Sequence, residues 1–343
     1  MNEDMRFQDR GSRIVVLCYH RVAASTAGVF DGFLPNISAD PREFERQMGL
    51  IARDYSPIDI ARLVAWLDRG EELPDRPALV TFDDGYLDNA EVALPIMRRY
   101  GIRPLIFLAT DYIGNERAFL WDVVAYCFSS TRKASGRLPL LGHVTLGDEL
   151  SRHRLVSEWM AACKEEPSQQ RSELLRQLAE ATDVPVSWTD LPWKACMDWD
   201  LVRRLAARDA DFGGHTCSHP ILSRMPQHEA AEEIAGCFDK LASELGRPPL
   251  AFAYPNGSAR DFGPGDERAV TQAGFRIGFS LEPGPVGRAR LRSRPTAVPR
   301  IYIGRRDTGF RFWLKLKGAA IAVDQVRQAL RRRSRIAGHA LAD

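Results

Sequence analysis

The chain has 343 residues, of which 45% are hydrophobic and 27% charged, a composition typical of a globular protein long enough to bury a sizeable core. Its 47 Lys and Arg residues against 45 Asp and Glu residues give a net charge of +2, so we expect no nucleic-acid partner. Six cysteines lie far apart without a C-x-x-C pair, which argues against a disulfide framework and against a structural zinc site.

The N-terminal residues 1–12 are polar, and we expect them to be flexible. The apolar run that follows, I-V-V-L-C-Y-H, is too short for a signal-peptide core or for a membrane span, which needs about 18 apolar residues or more. No later run approaches that length. We therefore expect a cytoplasmic protein whose cysteines are reduced thiols.

Short apolar runs rich in β-branched residues alternate with helical patterns along most of the chain, which indicates βαβ units around a parallel sheet. The predicted strands cover residues 13–19, 78–82, 105–109, 211–214, 250–253, 276–280 and 298–303. The predicted helices cover residues 41–54, 59–68, 89–99, 199–208, 226–245 and 265–272. Seven strands with crossover helices favour an α/β barrel, which we expect to span residues 13–304.

The alternation of strand and helix patterns is interrupted at residues 111–197. Long polar helical patterns occupy 153–164 and 168–182, and the interval contains no convincing strand, so we predict a helical insertion on one loop of the barrel. Tryptophans near its end, Trp188 and Trp193, either cover an active-site mouth or pack in a core.

Residues 305–343 form a predicted basic, amphipathic C-terminal tail. Phe310, Phe312 and Trp313 stand among arginines and lysines, and a run of arginines follows at 331–333. Such a segment can lie on an anionic membrane surface, which would make the protein a peripheral membrane protein at the inner face of the cytoplasmic membrane. The alternative is a solvated basic helix whose apolar side packs on the barrel.

Two adjacent carboxylates end the second predicted strand, in the run V-T-F-D-D-G-Y. Acidic side chains at the carboxyl end of a strand lie on the functional face of a parallel barrel. Asp83 and Asp84 can diverge there, so that one binds a metal and the other takes a proton, and Gly85 permits the sharp turn that this requires. Because Asp and Gly are also ordinary turn residues, the run taken alone fits a structural turn equally well.

A histidine pair follows the fourth predicted strand, in the run G-G-H-T-C-S-H-P. His215 and His219 are four residues apart, so both imidazoles fall on one side of a helical turn and can reach one cation. A coincidence of composition is the alternative, although the chain has only seven histidines. Together with one carboxylate, the pair would leave positions open for water and substrate, as a catalytic metal site requires.

T-F-D-D-G-Y followed by H-T-x-x-H-P resembles the polysaccharide deacetylases, the family that shares the NodB homology domain and is also called carbohydrate esterase family 4. The resemblance covers roughly residues 13–303 outside the insertion, and implies a distorted (β/α)7 barrel with a helical insertion between the two metal-site motifs. It also implies that Asp83 is the general base. The implied ligands of a divalent metal, expected to be zinc, are Asp84, His215 and His219.

A third family motif, R-x-P-Y-G, is matched only in part, by F-A-Y-P-N-G. The Pro-x-Gly turn is present, so we expect Tyr254 and Asn256 to support the substrate or the oxyanion, with a backbone N–H near Asn256 as a donor. Ala253 replaces the motif arginine, and Arg300 is the candidate substitute unless it is a surface residue. The resemblance also implies that Thr216 supports the histidine loop by hydrogen bonding.

The family's late histidine acid, in an L-x-H setting, has no counterpart near the last predicted strand. The first strand instead ends in C-Y-H-R, and this Y-H pattern resembles the branch that deacetylates poly-N-acetylglucosamine-type exopolysaccharides. The resemblance implies that His20 is the general acid that protonates the leaving amine. A histidine that only shapes the rim of the barrel is the alternative.

The expected reaction is metal-dependent removal of an N-acyl group, N-acetyl above all, from an amino sugar in a polysaccharide or a lipid-linked glycan precursor. A cytoplasmic location favours an N-acylated intermediate of capsule, exopolysaccharide or lipopolysaccharide synthesis. Two alternatives stay open. One is a deformylase or another amidohydrolase of the same superfamily; the other is a non-catalytic carbohydrate-binding protein, which should lack one of the base and metal residues.

Overall fold

The computed structural model describes residues 13–24, 32–115, 117–167, 170–185 and 195–319. Three predicted features lie outside these residues: the flexible N-terminus, the insertion tryptophans Trp188 and Trp193, and the arginine run at 331–333. In the described residues, helices surround a curled and mostly parallel sheet.

The strands are β1 (Arg13–Tyr19), β2 (Arg21–Val22), β3 (Ile37–Ala39), β4 (Ser56–Pro57), β5 (Pro77–Phe82), β6 (Leu105–Leu108), β7 (Ser135–Leu138), β8 (Gly142–Thr145), β9 (Asp211–Gly214), β10 (Ala251–Ala253), β11 (Ile277–Phe279), β12 (Val286–Gly287) and β13 (Ile301–Tyr302). Six of them pair in parallel in the order β11-β10-β9-β6-β5-β1. The short strand β12 lies antiparallel to the start of β1.

The last predicted strand brings the two ends of this sheet together. Val298 forms a parallel bridge with Phe279 at the end of β11, and β13 pairs in parallel with β1 on the opposite side. Only two residues of the predicted 298–303 run are a regular strand, because Pro299 has no N–H to donate to a ladder. The prediction of a distorted (β/α)7 barrel is confirmed.

The helices are Pro41–Asp54, Ile60–Arg69, Leu94–Arg99, Leu120–Ser130, Glu149–Glu165, Arg171–Thr182, Trp199–Ala206, Gln227–Leu245, Pro264–Ala273, Arg288–Ser293 and Gly309–Leu316. Aspartates such as Asp40, Asp59 and Asp198 accept from backbone N–H groups of the first turn, which is why these helices begin where they do. The predicted 89–99 helix begins as a π-helical turn, Asn89–Ala93.

Side chains of the strands point alternately to two hydrophobic clusters. Leu17 belongs to the cluster between the strands and the outer helices, where it lies with Phe44. Val16 belongs to a second cluster with Phe107 and Phe279 of other strands. Burial on both faces explains why the strand sequences are continuous apolar runs.

The predicted insertion has a hydrophobic core of its own, which includes Trp159, Phe128 and Leu178. It is not purely helical, and the prediction that it contains no strand is wrong. An antiparallel hairpin, β7 and β8, lies between two of its helices. Its strands are mostly exposed and polar, so they lack the apolar alternation by which a strand is recognised.

Residues 305–319 pack against the barrel rather than leaving it. In the helix Gly309–Leu316, Phe312 and Leu316 are buried in the main core, while Phe310 is 72% and Trp313 40% exposed. The predicted boundary at 304/305 therefore falls inside packed structure. In the part of the chain that the structure describes, no helix has the length and apolar character needed to cross a bilayer.

Candidate active site

A pocket of about 310 Å³ lies at the carboxyl ends of the parallel strands. This is the end at which the loops of a β/α barrel carry functional groups. The lining residues contributed by the barrel strands and the turns after them are His20, Asp83, Asp84, His215, His219, Asn256, Leu281 and Tyr302.

Three of the predicted ligands converge on one point at the floor of this pocket. Asp84 Oδ1 lies 3.6 Å from His215 Nε2 and 3.4 Å from His219 Nε2, although the residues are more than 130 positions apart in sequence. Neither carboxylate oxygen of Asp84 has a hydrogen-bond partner among the described residues, although the side chain is almost fully buried. Burying a carboxylate without hydrogen bonds costs free energy, and a cation bound by these three side chains would offset that cost.

The three ligand atoms lie within 4.8 Å of one another and could hold a metal ion. Ligands at about 2.0–2.1 Å from a tetrahedral metal are about 3.3–3.4 Å apart, close to the two separations from Asp84. Burial lowers the pKa of His215 to about 4, so its imidazole is neutral at pH 7 and able to bind a metal. Its Nδ1–H donates to the Ala253 carbonyl at 2.7 Å, which leaves Nε2 as the ligand atom.

The loops that carry these side chains hold unusual backbone conformations. Asp84, Thr216, His219 and Asn256 all have φ between 56° and 76°, a region that non-glycine residues rarely occupy. Gly85, with φ 77°, has no space for a Cβ, because one would lie 2.6 Å from Leu108 Cδ2. Strain of this kind persists only where surrounding structure imposes it, and it is concentrated here around the pocket.

Hydrogen bonds fix the histidine loop. Thr216 Oγ1 accepts from the His219 N–H at 3.0 Å, in agreement with the predicted support. Glu233, on the helix Gln227–Leu245, accepts from the backbone N–H groups of Cys217 and Ser218, both at 2.8 Å. Sequence reasoning missed Glu233, because nothing local connects it with a loop sixteen residues earlier.

Asp83 is bound by Arg300 through two parallel hydrogen bonds, Nη1 to Oδ1 at 2.6 Å and Nη2 to Oδ2 at 2.7 Å. Both side chains are buried, and Arg300 also donates to Thr81 Oγ1 and to the Ser280 carbonyl. Burial raises the pKa of Asp83, but the charge and hydrogen bonds of Arg300, together with His215 and His20, more than offset this effect, so the pKa lies below its usual value. The candidate arginine therefore occupies the position expected of a residue that orients the base, and is not a surface residue.

His20 stands on the opposite wall of the pocket. Its backbone is fixed by Ser38 Oγ and by Asn89 Nδ2, and its ring packs edge-on against Tyr302 at 5.6 Å. The ring atom Nδ1 is buried and has no partner among the described residues. His20 thus lines the pocket and has one buried ring nitrogen without a partner in the described part of the chain.

Tyr254 and Asn256, the two predicted residues of the third motif, lie in different surroundings. Tyr254 is fully buried, donates from its hydroxyl to the Thr296 carbonyl at 2.8 Å and stacks on Phe262, so of its predicted roles only support fits. Asn256 lines the pocket, and within the described residues its backbone N–H has no hydrogen-bond partner. That N–H remains available for an oxyanion.

Comparison with known proteins agrees with this geometry. A family model described as "Polysaccharide deacetylase" matches residues 70–276, more than half of the chain. The chain belongs to the polysaccharide deacetylase family. The predicted family is thus confirmed, and the matched region contains Asp83, Asp84 and both histidines of the metal site.

Individual relatives of this polysaccharide deacetylase are distant. The putative polysaccharide deacetylase YxkH of Bacillus subtilis is 25% identical over 109 residues, which are 32% of this chain and 36% of that protein. Among solved structures, the Streptococcus pyogenes deacetylase PplD in complex with acetate has a TM-score of 0.57 at 15% identity, covering 89% of this chain and 98% of its own. IcaB from Ammonifex degensii has a TM-score of 0.52 at 20% identity, covering 87% and 94%. These likenesses establish the fold.

The insertion supplies pocket residues that sequence reasoning missed, and two of them make contacts with other residues of the site. Trp121 packs edge-on against the His219 ring at 4.9 Å, and its Nε1–H donates to Tyr86 Oη at 2.7 Å. Lys164 Nζ donates to Asn256 Oδ1 at 3.1 Å. A third missed residue is Cys18, whose Sγ lies 3.4 Å from Asp83 Oδ2. None of the three stands in a recognisable motif.

Proposed function

We propose that this protein hydrolyses the N-acyl group, N-acetyl above all, of an amino sugar, giving the free amine and acetate. The observation that supports this most strongly is the adjacency of Asp83, paired with Arg300, to the Asp84–His215–His219 set. One buried carboxylate is held ready to take a proton, and the neighbouring one faces two imidazole nitrogens with ligand spacing.

The roles of the residues follow from their positions. Bound to Asp84, His215 and His219, a divalent metal supplies Lewis acidity toward an acyl carbonyl and acidity to a water molecule. Asp83 takes the proton of the attacking water, and Arg300 holds that carboxylate in one orientation. The Asn256 N–H donates to the oxyanion.

His20 completes the reaction by donating a proton to the leaving nitrogen as the C–N bond breaks. The place of His20 in the pocket lining and its unpartnered Nδ1 support this role. Among the described residues, the other histidines of the lining are His215 and His219, which we assign to the metal. We further propose that the chain belongs to the branch of the family with this N-terminal histidine.

We propose zinc as the metal, since two imidazoles and one carboxylate suit it, and since three protein ligands leave a position for water and substrate. The substrate that we propose is a lipid-linked or nucleotide-linked N-acyl sugar met in the cytoplasm. A polysaccharide substrate is the broader alternative that the family membership supports.

Metal analysis coupled to an acetate-release assay on N-acetylated saccharides and lipid-linked sugars tests the proposal. Asp83→Asn should retain the metal and lose turnover, because the amide cannot accept the proton while the three ligands are unchanged. Near-normal activity of this variant would remove Asp83 from its role. Formate in place of acetate would identify a deformylase, and metal binding without any release would favour a carbohydrate-binding protein.

We also propose that the C-terminal helix contacts an anionic membrane surface. Phe310 and Trp313 are exposed and stack on each other at 5.7 Å, while the ammonium group of Lys317 lies 5.8 Å from the Trp313 ring and adds positive charge there. Flotation with anionic liposomes tests this idea. Phe310→Ser with Trp313→Ser should reduce binding, whereas Leu150→Ser, which removes another exposed apolar side chain, should not. Equal binding by all three proteins contradicts the proposal.

A further inference from the structure

The active-site pocket continues into a second pocket of about 200 Å³ beneath the insertion. Trp121, Met160, Lys164, His219 and Asn256 line both pockets, so the two form one groove. The groove therefore runs from the metal-site histidines to the helices of the insertion, and it is longer than the reacting amide requires.

Among the cations of the insertion that line the groove are Lys164 and Arg171. Lys164 Nζ donates to the neutral side chain of Asn256, and Arg171 Nη2 donates only to the backbone carbonyls of Lys164 and Glu166, both at 3.4 Å. Arg171 Nε is buried without a partner. Across the described ranges, neither cation has a carboxylate within ion-pair distance.

The acidic groups nearby are already engaged elsewhere. Glu165 pairs with Arg224 at 3.1 Å, and Asp261 accepts from the Ser258 N–H at 2.9 Å. The third cation of the groove, Arg117, is paired with Asp111 at 3.8 Å. No described carboxylate therefore forms an ion pair with Lys164 or Arg171, and Asp261 and Asp84 act on Lys164 only from a greater distance, so both cations can bind an anionic ligand.

We propose that Lys164 and Arg171 form a subsite for a phosphate group carried by the substrate, next to the sugar whose N-acyl group faces the metal site. This inference rests on the function proposed above. Guanidinium and ammonium groups bind phosphate oxygens through charge-assisted hydrogen bonds. A sugar diphosphate attached to a nucleotide or to a lipid presents the same chemistry, so the subsite recognises the shared phosphate.

Calorimetric binding to the metal-loaded, full-length protein tests the subsite. N-acetylglucosamine 1-phosphate should bind about tenfold more tightly than methyl N-acetylglucosaminide, and the advantage should shrink at high salt. Lys164→Met with Arg171→Gln should bring the affinity ratio close to one, and Arg171→Gln alone should give an intermediate ratio. Arg154→Gln, an exposed arginine of the insertion paired with Glu158, is the matched control and should keep the wild-type ratio.

An affinity ratio near one between the phosphorylated and the neutral sugar in the wild-type protein overturns the subsite. An undiminished ratio in the double variant also overturns it, because the phosphate would then be bound by the metal. Acetate release separates the two proposals. Equal kcat/KM for neutral and phosphorylated sugars overturns the subsite and leaves the deacetylase function standing. The expected binding ratios without acetate from any sugar support the subsite and contradict the function.

The same assay identifies the source of the phosphate. UDP-N-acetylglucosamine and a short-chain prenyl diphosphate N-acetylglucosamine are compared as ligands of the wild-type and double-variant proteins. Tighter binding of either one, lost in the double variant, supports the subsite and shows which carrier it accepts. Binding of both no tighter than the neutral glycoside overturns it.

Discussion

Replacing Arg300 with methionine tests the central electrostatic feature of the site. The Arg300 guanidinium and the Asp83 carboxylate are both buried and are joined by two short hydrogen bonds. Removing one partner of a buried ion pair costs about 3–5 kcal/mol, because the other charge stays buried without compensation. Methionine matches only the aliphatic part of arginine and is about two atoms shorter, so a cavity in place of the guanidinium adds to this cost. We expect Arg300→Met to lower the free energy of unfolding by that amount in metal-free protein at pH 7.

The pH dependence of the free energy of unfolding should also change sign in Arg300→Met. In the wild-type protein the folded-state pKa of Asp83 is lowered, so the pair contributes stability above the unfolded pKa that is lost as the pH falls through the folded one. In Arg300→Met, burial dominates and raises the pKa of Asp83. The variant should then be most stable at low pH and lose stability as the pH rises.

Urea denaturation of the two single variants and the double variant from pH 4 to pH 7 measures the coupling. Asp83→Asn in the Arg300→Met background should recover stability, because the unpaired charge is gone. Effects of the two substitutions that add within about 0.5 kcal/mol would show that the two side chains are not coupled and would refute this reasoning.

Three further predictions concern other residues of the site and its surroundings. His215→Ala should abolish metal binding measured by elemental analysis, since Asp84 and His219 alone cannot hold the ion; a full metal complement would contradict the assignment. His20→Ala should lower kcat/KM for amides by about 10²–10³-fold and spare activated aryl acetates, whose leaving group needs no proton; equal losses on both would exclude the acid role. Burial raises the pKa of Asp122 from 3.8 to about 6, so its stabilising contribution is complete below pH 3.8 and about 3 kcal/mol is lost as the pH rises through 6. Asp122→Asn should therefore flatten urea-derived stability between pH 4 and pH 7, and an unchanged slope would assign that slope to another group.

The features that could be predicted from the sequence depend on local patterns. The strand that ends in Asp83 and the loop that carries His215 and His219 were located because apolar runs stop where chemically active residues begin. The barrel then brings them together, since all its parallel strands end on one side. Contacts between distant segments have no such local pattern. Lys164 donates a hydrogen bond to Asn256, which lies 92 residues later in the sequence, and no spacing rule predicts this pair.

Arg300 is intermediate between the residues that local patterns predicted and the contacts that they did not. Because Ala253 replaces the motif arginine, a substitute was expected, and Arg300 in the last predicted strand was the candidate, although its contact with Asp83 spans 217 residues. The position is reached because β13 pairs with β1, whose neighbour on the other side is β5. The order of the strands in the sequence does not predict that the first and last strands pair, because they become neighbours only when the sheet closes.

The site divides into two parts with different physical requirements. The chemical groups stand on strand ends and strained loops of the barrel, where dense packing keeps Asp84, Thr216 and His219 in conformations that a mobile loop would relax. Trp121 and Lys164 come from an insertion that has its own hydrophobic core, so changes there need not disturb the strands. Substrate selectivity can therefore vary in the insertion while the metal and base geometry stays fixed. On this reasoning, substitutions at Lys164 should alter the choice between substrates more than the turnover of any one of them.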